Sequence, residues 1–190
     1  MTRIVGGLLS GRRLAVPASA RPTTDRVRES VFSSLGHHLA WDECSVLDLY
    51  AGSGALGLEA LSRGAQRAVF VEWDRAAARM LRDNVKALDV ENCCTIVQAD
   101  AGTWRPAPGE RYELVLVDPP YDVPAPTIIG VLERLATGGL APDALVVVER
   151  PLRDPQSPLP TGWAGWQRRY GDTAVWYGHA QVPTDGSEET

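Results

Sequence analysis

The chain has 190 residues, of which 44% are hydrophobic and 23% are charged, and its formal net charge is −5. This length fits one well-buried domain, and no apolar run approaches the roughly 20 residues needed to span a membrane. The first residues lack the apolar core of a signal peptide, so we expect a cytoplasmic protein. Cys44, Cys93 and Cys94 form no CxxC pair, and the histidines do not complete a zinc site with them. We therefore expect neither a disulfide framework nor a metal centre.

The N-terminal part of the chain is rich in arginine. Its basic residues before position 31 are Arg3, Arg12, Arg13, Arg21, Arg26 and Arg28, opposed only by Asp25 and Glu29. Phosphate contacts need clustered cations, so this distribution favours a local anionic partner despite the acidic total. The alternative is a solvated surface that binds nothing.

The first predicted elements are a β-hairpin and a helix. We expect short strands over 3–9 and 12–16, joined by a turn at Ser10-Gly11. A helix capped by Thr23 or Thr24 should follow. Its apolar face is predicted to contain Val27, Val31, Phe32, Leu35 and Leu39.

From Cys44 onward, strand and helix patterns alternate. Strands are predicted over 45–49, 68–72, 95–97, 112–117 and 144–149, and helices over 55–63, 75–88 and 127–136. This alternation predicts an α/β, Rossmann-like, doubly wound and mostly parallel sheet. Two further strands over 167–170 and 174–179 should form an antiparallel pair at one sheet edge, around Gly171-Asp172. The polar, acidic residues after Gln181 are expected to be disordered.

A glycine-rich turn is predicted between the first core strand and its helix. The run from Gly52 to Gly57 fits GxGxxG, and Glu72 ends the next strand, where an acid can bond a ribose diol. This arrangement indicates a nucleoside cofactor, either a dinucleotide or S-adenosylmethionine. Asp48 would oppose a pyrophosphate but would suit a cationic amino-acid head, and Asp100 ends a third strand near the expected adenine.

A rigid turn, Asp118-Pro119-Pro120-Tyr121, follows the apolar run 114–117. Each proline fixes its own φ, and the first also constrains the residue before it, so carbonyls and the tyrosine ring are presented in set directions. The turn is suited to hold a planar, amino-bearing group. An ordinary strand-ending turn is the alternative.

Together these motifs resemble the Rossmann-like S-adenosylmethionine-dependent methyltransferases that modify amino groups. The resemblance implies that Asp48, Ala51, Gly52, Ser53 and Gly54 contact the methionine part of the cofactor. It further implies that Glu72 binds the ribose, Trp73 covers the adenine, and Asp100 with Ala101 lies at the adenine edge. The catalytic residues would be Asp118, Pro119, Pro120 and Tyr121.

The leading segment is similar to the bacterial RsmD family, which methylates the N2 amine of one guanine in 16S ribosomal RNA. The matching stretches are 3–7, 11–14 and 21–32, whereas Leu8-Leu9-Ser10 departs from the basic or polar residues expected there. The resemblance implies RNA contacts by Arg3, Arg12, Arg13, Arg21, Thr24, Arg26 and Arg28. It also implies an RNA-binding extension over 1–40, a methyltransferase domain over 41–180 and a tail over 181–190. The partner would be 16S ribosomal RNA within the small subunit, bound by a monomer.

Other functions remain open at this point. The same turn suits adenine N6, cytosine N4 or a glutamine side-chain amide. A nicotinamide-dependent oxidoreductase would share the glycine-rich turn, although Asp48 and the turn at 118–121 disfavour it. A non-catalytic RNA-binding assembly factor is a third class, which a turnover measurement would separate from an enzyme.

Overall fold

The computed structural model describes residues 2–17, 25–154 and 156–180. The main sheet has seven strands, β3 (Ser45–Leu49), β4 (Arg67–Val71), β5 (Cys94–Val97), β6 (Tyr112–Val117), β7 (Leu140–Pro151), β8 (Ala164–Tyr170) and β9 (Thr173–His179). Two short strands, β1 (Thr2–Arg3) and β2 (Arg13–Leu14), pair separately. The helices are α1 (Asp25–Leu35), α2 (Ala55–Ser62), α3 (Arg75–Leu88) and α4 (Ala125–Ala136). None of these described helices is long and apolar enough to cross a membrane.

The strand order of the main sheet is β5-β4-β3-β6-β7-β9-β8. The first five strands in this order pair in parallel, whereas β9 is antiparallel to both β7 and β8. The order reverses between β3 and β6, and ligands of open α/β sheets bind beyond the carboxyl ends of the strands at such a reversal. The predicted doubly wound sheet with its antiparallel edge pair is confirmed.

Alternate residues of the central strands face two separate cores. Val46 of β3 and Leu116 of β6 pack in one core with residues of α1, α2 and α3. Leu49 and Val117 pack in the other with residues of α4. Because both faces of the sheet are covered, β3 is buried at every position, as expected for a central parallel strand.

The N-terminal hairpin is present, but its paired strands are shorter than predicted. Pairing is limited to the two residues of β1 and the two of β2. Beyond them, the backbone N–H of Leu8 donates to the carbonyl of Ser62 at 2.7 Å, and that of Leu9 donates to the Ser62 Oγ at 2.9 Å. The predicted extents 3–9 and 12–16 are wrong because, after the backbone bonds of Ile4 with Gly11 and Arg12, the loop bonds to the end of α2.

Other element ends differ from prediction by smaller amounts. Helix α1 ends at Leu35, so Leu39 follows the helix, although it still packs against the same core. Strand β7 extends past both ends of the predicted 144–149 because its added residues continue the pairing with β6 and β9. The expected caps Thr23 and Thr24, and the tail after Gln181, lie outside the described residues.

Candidate active site

The predicted site segments start side by side at one edge of the sheet. Leu49 at the end of β3 pairs with both Val71 of β4 and Val117 of β6, and Val71 pairs with Val97 of β5. These strands run in parallel, so their carboxyl ends lie together. The glycine-rich turn, the two acid-bearing loops and the proline turn therefore surround one region.

The glycine-rich turn has a backbone that favours glycine. Tyr50, Gly52 and Gly54 have φ values of 59°, 54° and 80°. Gly54 is also the N-cap of α2, and a Cβ atom there would lie 2.3 Å from the Cδ1 of Leu81. The N–H of Gly54 donates to the carbonyl of Ala51 at 2.7 Å, which closes the turn. A larger residue at position 54 would therefore overlap the core side chains of Leu81, Leu58 and Phe70.

Asp48 is a buried carboxylate below this turn. Its side chain is 1% exposed, and its Oδ2 accepts a hydrogen bond from the backbone N–H of Gly57 at 2.9 Å. Burial raises its pKa well above the ordinary value; the Gly57 bond lowers the pKa, whereas the charges of Asp118 and Glu72 raise it further. A carboxylate in these surroundings attracts a cationic ligand and repels an anionic one.

Glu72 joins the turn to the end of β4. Its Oε2 accepts a hydrogen bond from the N–H of Gly52, and its Oε1 accepts one from the N–H of Asp74, each at 2.7 Å. The residue is 6% exposed. Since each carboxylate oxygen has a second acceptor position, this fixed side chain can also accept bonds from a pair of hydroxyls.

Three further residues of the predicted site follow the carboxyl ends of β4 and β5: Trp73, Asp100 and Ala101. The Oδ1 of Asp100 accepts a hydrogen bond from the N–H of Gly102 at 2.6 Å, and Ala101 is buried. Trp73 is 68% exposed, so its indole does not contribute to either core. Directly after Glu72, this ring offers a flat apolar surface to an aromatic ligand.

The turn at 118–121 borders a cleft. Asp118 is close enough to Asp48 to raise its pKa, Pro119 is buried, and Tyr121 is 43% exposed. The cleft has a volume of about 520 Å³ and is lined by Tyr121, Pro151, Leu152, Arg153 and Asp172. Its size lies within the range of small-molecule sites, so it can hold a planar base beside the tyrosine ring.

Arg28, one of the predicted RNA contacts, is buried. It is 1% exposed, its Nη2 lies 2.7 Å from the Oδ1 of Asp25, and its Nε lies 3.6 Å from the Oε2 of Glu59. A guanidinium in this position ties α1 to α2 and cannot reach an RNA strand. The expectation that Arg28 contacts RNA is therefore corrected by its burial.

The other described arginines of the leading segment lie at the surface. They are Arg3, Arg12, Arg13 and Arg26. Arg3 pairs with Asp25 at 3.1 Å, and Arg12 donates to the carbonyl of Ala87. Arg21 and Thr24 lie outside the described residues. Exposed cations thus flank the hairpin, as a phosphate-binding surface requires.

Sequence reasoning missed Glu59, which anchors the hairpin. Its side chain is fully buried, and its two oxygens accept hydrogen bonds from the N–H of Val5 at 2.7 Å and of Gly6 at 2.8 Å. One oxygen also accepts a bond from the Nε of Arg63 at 2.9 Å. The available signal was an acid surrounded by apolar residues in the stretch 55–62.

Asn84, also missed, links the hairpin to the glycine-rich turn. Its Oδ1 accepts a bond from the N–H of Ala15, and its Nδ2 donates to the carbonyls of Ala15 and Ser53, each at 2.9 Å. No sequence pattern indicates such a contact, since Asn84 lies within an ordinary amphipathic helix. The described residues contain no group of three or more side chains arranged to hold a metal ion.

Comparison with known proteins agrees with this geometry. The family model described as Conserved hypothetical protein 95 matches residues 2–179. Ribosomal RNA small subunit methyltransferase D of Escherichia coli strain K12 is 40% identical over 169 residues, which cover 85% of this chain and 81% of that protein. The protein of the same name from Haemophilus influenzae is 36% identical over 169 residues, covering 82% and 83%.

A solved structure gives the same assignment for the fold. The structure of yhhF from Escherichia coli superposes with a TM-score of 0.80 at 35% identity, and the match covers 93% of this chain and 97% of that chain. The chain therefore belongs to the RsmD family of ribosomal RNA small subunit methyltransferases.

Proposed function

We propose that this protein transfers a methyl group from S-adenosylmethionine to the exocyclic N2 amine of one guanine in 16S ribosomal RNA, at position 966. The observation that carries the proposal is the position of the turn at 118–121. It starts at the same end of the sheet as Asp48 and Glu72, which supports the proposal that an amine-binding group lies beside a site for a cationic nucleoside.

The acids of the site fit S-adenosylmethionine. Among the ion pairs of the described residues, none joins Asp48 or Glu72 to a basic side chain. A cationic ligand would therefore relieve the repulsion between these carboxylates, whereas a pyrophosphate would add to it. When bound, this cofactor supplies an activated methyl group.

Each part of the cofactor has a partner in this assignment. Asp48, Ala51, Gly52, Ser53 and Gly54 hold the methionine part. Glu72 accepts bonds from the ribose hydroxyls, Trp73 covers one face of the adenine, and Asp100 with Ala101 contacts its amino edge. Hydrogen bonds from two backbone N–H groups already fix the Glu72 side chain. Ligand binding therefore costs little further conformational entropy at this residue.

The turn orients the amine. The exocyclic amine of guanine is a poor nucleophile because its lone pair is delocalised into the ring. The carboxylate of Asp118 and the carbonyl of Pro119 would accept hydrogen bonds from the two N–H groups of the amine and direct its lone pair toward the methyl group. As the N–C bond formed, the C–S bond of the sulfonium would break, and Asp118 would take the proton that the nitrogen loses. Pro120 keeps the turn rigid, and Tyr121 stacks on the base. Positioning of this kind is worth about 7–11 kcal/mol in well-oriented systems.

We assign RNA recognition to residues 1–40 and methyl transfer to residues 41–180. The exposed Arg3, Arg12, Arg13 and Arg26 would contact phosphates, as would Arg21 and Thr24. These contacts would offset the cost of taking a base out of its stack, which is a few kcal/mol. We further propose that a monomer acts in the cytoplasm on the small ribosomal subunit.

The test supplies methyl-labelled S-adenosylmethionine with unmodified small subunits, free 16S RNA and duplex DNA, and maps the label by nuclease digestion and nucleoside analysis. Label on guanine N2 in the subunits is the expected result. Label on adenine N6 would assign the protein to a different amino methyltransferase, and label on DNA alone would overturn the proposal.

A further inference from the structure

A second cleft, of about 670 Å³, lies between α1 and β8 and shares no lining residue with the cleft beside Tyr121. Its side chains are mainly hydrogen-bond donors. They include Ser30, Ser33, His37, His38, Arg168 and Arg169. The active site described above uses none of these residues.

The two walls of this cleft come from separate parts of the chain. Ser30 and Ser33 are three positions apart on α1 and share one face of the helix, which continues to His37 just past its end. The other wall is the outermost strand of the sheet, where Arg168 and Arg169 are both exposed. The cleft is thus a feature of the fold that no local motif encodes.

The charge of the cleft is positive and unbalanced. None of the described residues that line it is acidic. The ion pairs of the described residues involve Arg3, Arg28, Arg63 and Arg150, and neither Arg168 nor Arg169 takes part in any of them. Guanidinium groups beside hydroxyl and imidazole donors form the set that typically contacts phosphate oxygens.

The two clefts adjoin the same turn. Tyr170, the last residue of β8, lines the arginine cleft, and Asp172, in the turn that follows, lines the cleft beside Tyr121. Pairing of Thr173 with both Tyr170 and Pro151 places this turn at the sheet edge where β7 ends. An RNA strand whose base lies beside Tyr121 can therefore continue over this turn into the second cleft.

We infer that the cleft between α1 and β8 binds backbone phosphates of the RNA strand next to the target base. The inference rests on the proposed function and extends it to a surface outside the leading arginine-rich segment. The phosphates held in this cleft fix the RNA strand on one side of the turn, while the target base lies beside Tyr121 on the other side. The hairpin arginines then form a separate contact on the other side of the site.

The experiment measures binding of 16S RNA to the full-length wild-type protein, to R168S and to R168S/R169S over a series of salt concentrations. We expect the double variant to bind about fivefold more weakly or worse, with a salt slope reduced by about 1 to 2. The control matched to R168S is R111S, which removes one exposed charge just before the central strand β6, at the amino ends of the parallel strands. This control should keep the wild-type slope.

Unchanged RNA affinity and slope in the double variant would overturn the inference. Weaker binding to assembled subunits with unchanged binding to free RNA would also overturn it, because the cleft would then contact a ribosomal protein. The affinity of the double variant for S-adenosylmethionine should equal that of the wild type, which would show that the variant is folded. The result is independent of turnover: if the wild type binds RNA through these arginines but methylates none, the proposed function fails while the cleft stands.

Discussion

The Oδ2 of Asp48 and the backbone N–H of Gly57 are joined by a 2.9 Å hydrogen bond between β3 and α2. A Cβ atom on residue 57 would lie 3.0 Å from that oxygen and 2.4 Å from the Cε1 of Phe70. The carboxylate is therefore supported by an amide that only a glycine can bring so close to the sheet. Helix packing and the cofactor site depend on the same position.

We expect Gly57→Ala to lower the free energy of unfolding by about 1–3 kcal/mol, the usual cost of overpacking a core, and to weaken cofactor binding. Urea unfolding and calorimetric titration measure the two effects. Phe70→Leu in the same chain should recover part of the stability. Gly138→Ala is the control, since no atom lies within 4 Å of a Cβ there; equal stability of the two alanine variants would contradict the packing argument.

Asp48→Asn should stabilise the ligand-free protein at neutral pH while strongly reducing cofactor affinity. The folded-state pKa of Asp48 is raised, so its stabilising contribution is full at acidic pH and is lost as pH rises through that raised pKa. An asparagine side chain still accepts the hydrogen bond from the N–H of Gly57, but it does not ionise and so does not lose stability as the pH rises. The stability difference between variant and wild type should therefore grow from acid to neutral pH in thermal melts, whereas the exposed Asp42→Asn should show no such trend.

Asp118→Asn should reduce turnover at least a hundredfold and leave S-adenosylmethionine affinity nearly unchanged. The reason is that the carboxylate acts on the amine and not on the cofactor. A general base in this position contributes about 10²–10⁴ to the rate. Single-turnover methylation and cofactor titration separate the two quantities. Asp122→Asn, in the same loop and exposed, serves as the control; parallel loss of turnover and cofactor affinity would assign Asp118 a structural role.

Glu59→Gln should cost about 3 kcal/mol of stability and weaken RNA binding, because the buried Arg28 loses the fully buried one of its two counter-ions and the hairpin loses a charged acceptor. Denaturant unfolding and RNA titration test it. Asp25 also pairs with Arg28, but its side chain is 39% exposed. Asp25→Asn should therefore cost less than about 1 kcal/mol of stability. Similar losses in both variants would argue against a special role for Glu59.

Much of the fold could be predicted because local signals agree with it. Helix α3 spans the predicted 75–88, where Asp74 caps it through a 2.8 Å bond to the N–H of Ala77. The contacts of Glu59 and Asn84 with the hairpin could not be predicted, since each joins residues more than fifty positions apart. Arg28 is different. It lies three and seven positions before Val31 and Leu35, so the helical period already placed it on the buried face.

Helix α2 fixes the distance between two parts of the molecule. It starts at the glycine-rich turn and ends at Ser62, whose carbonyl holds the hairpin loop. Its 8 residues span about 12 Å, and the bonds of Gly57 to Asp48 and of Val5 to Glu59 hold the helix against β3 and the hairpin. The separation between the glycine-rich turn and the hairpin loop is therefore set by this helix, and a change in the length of α2 would change that separation.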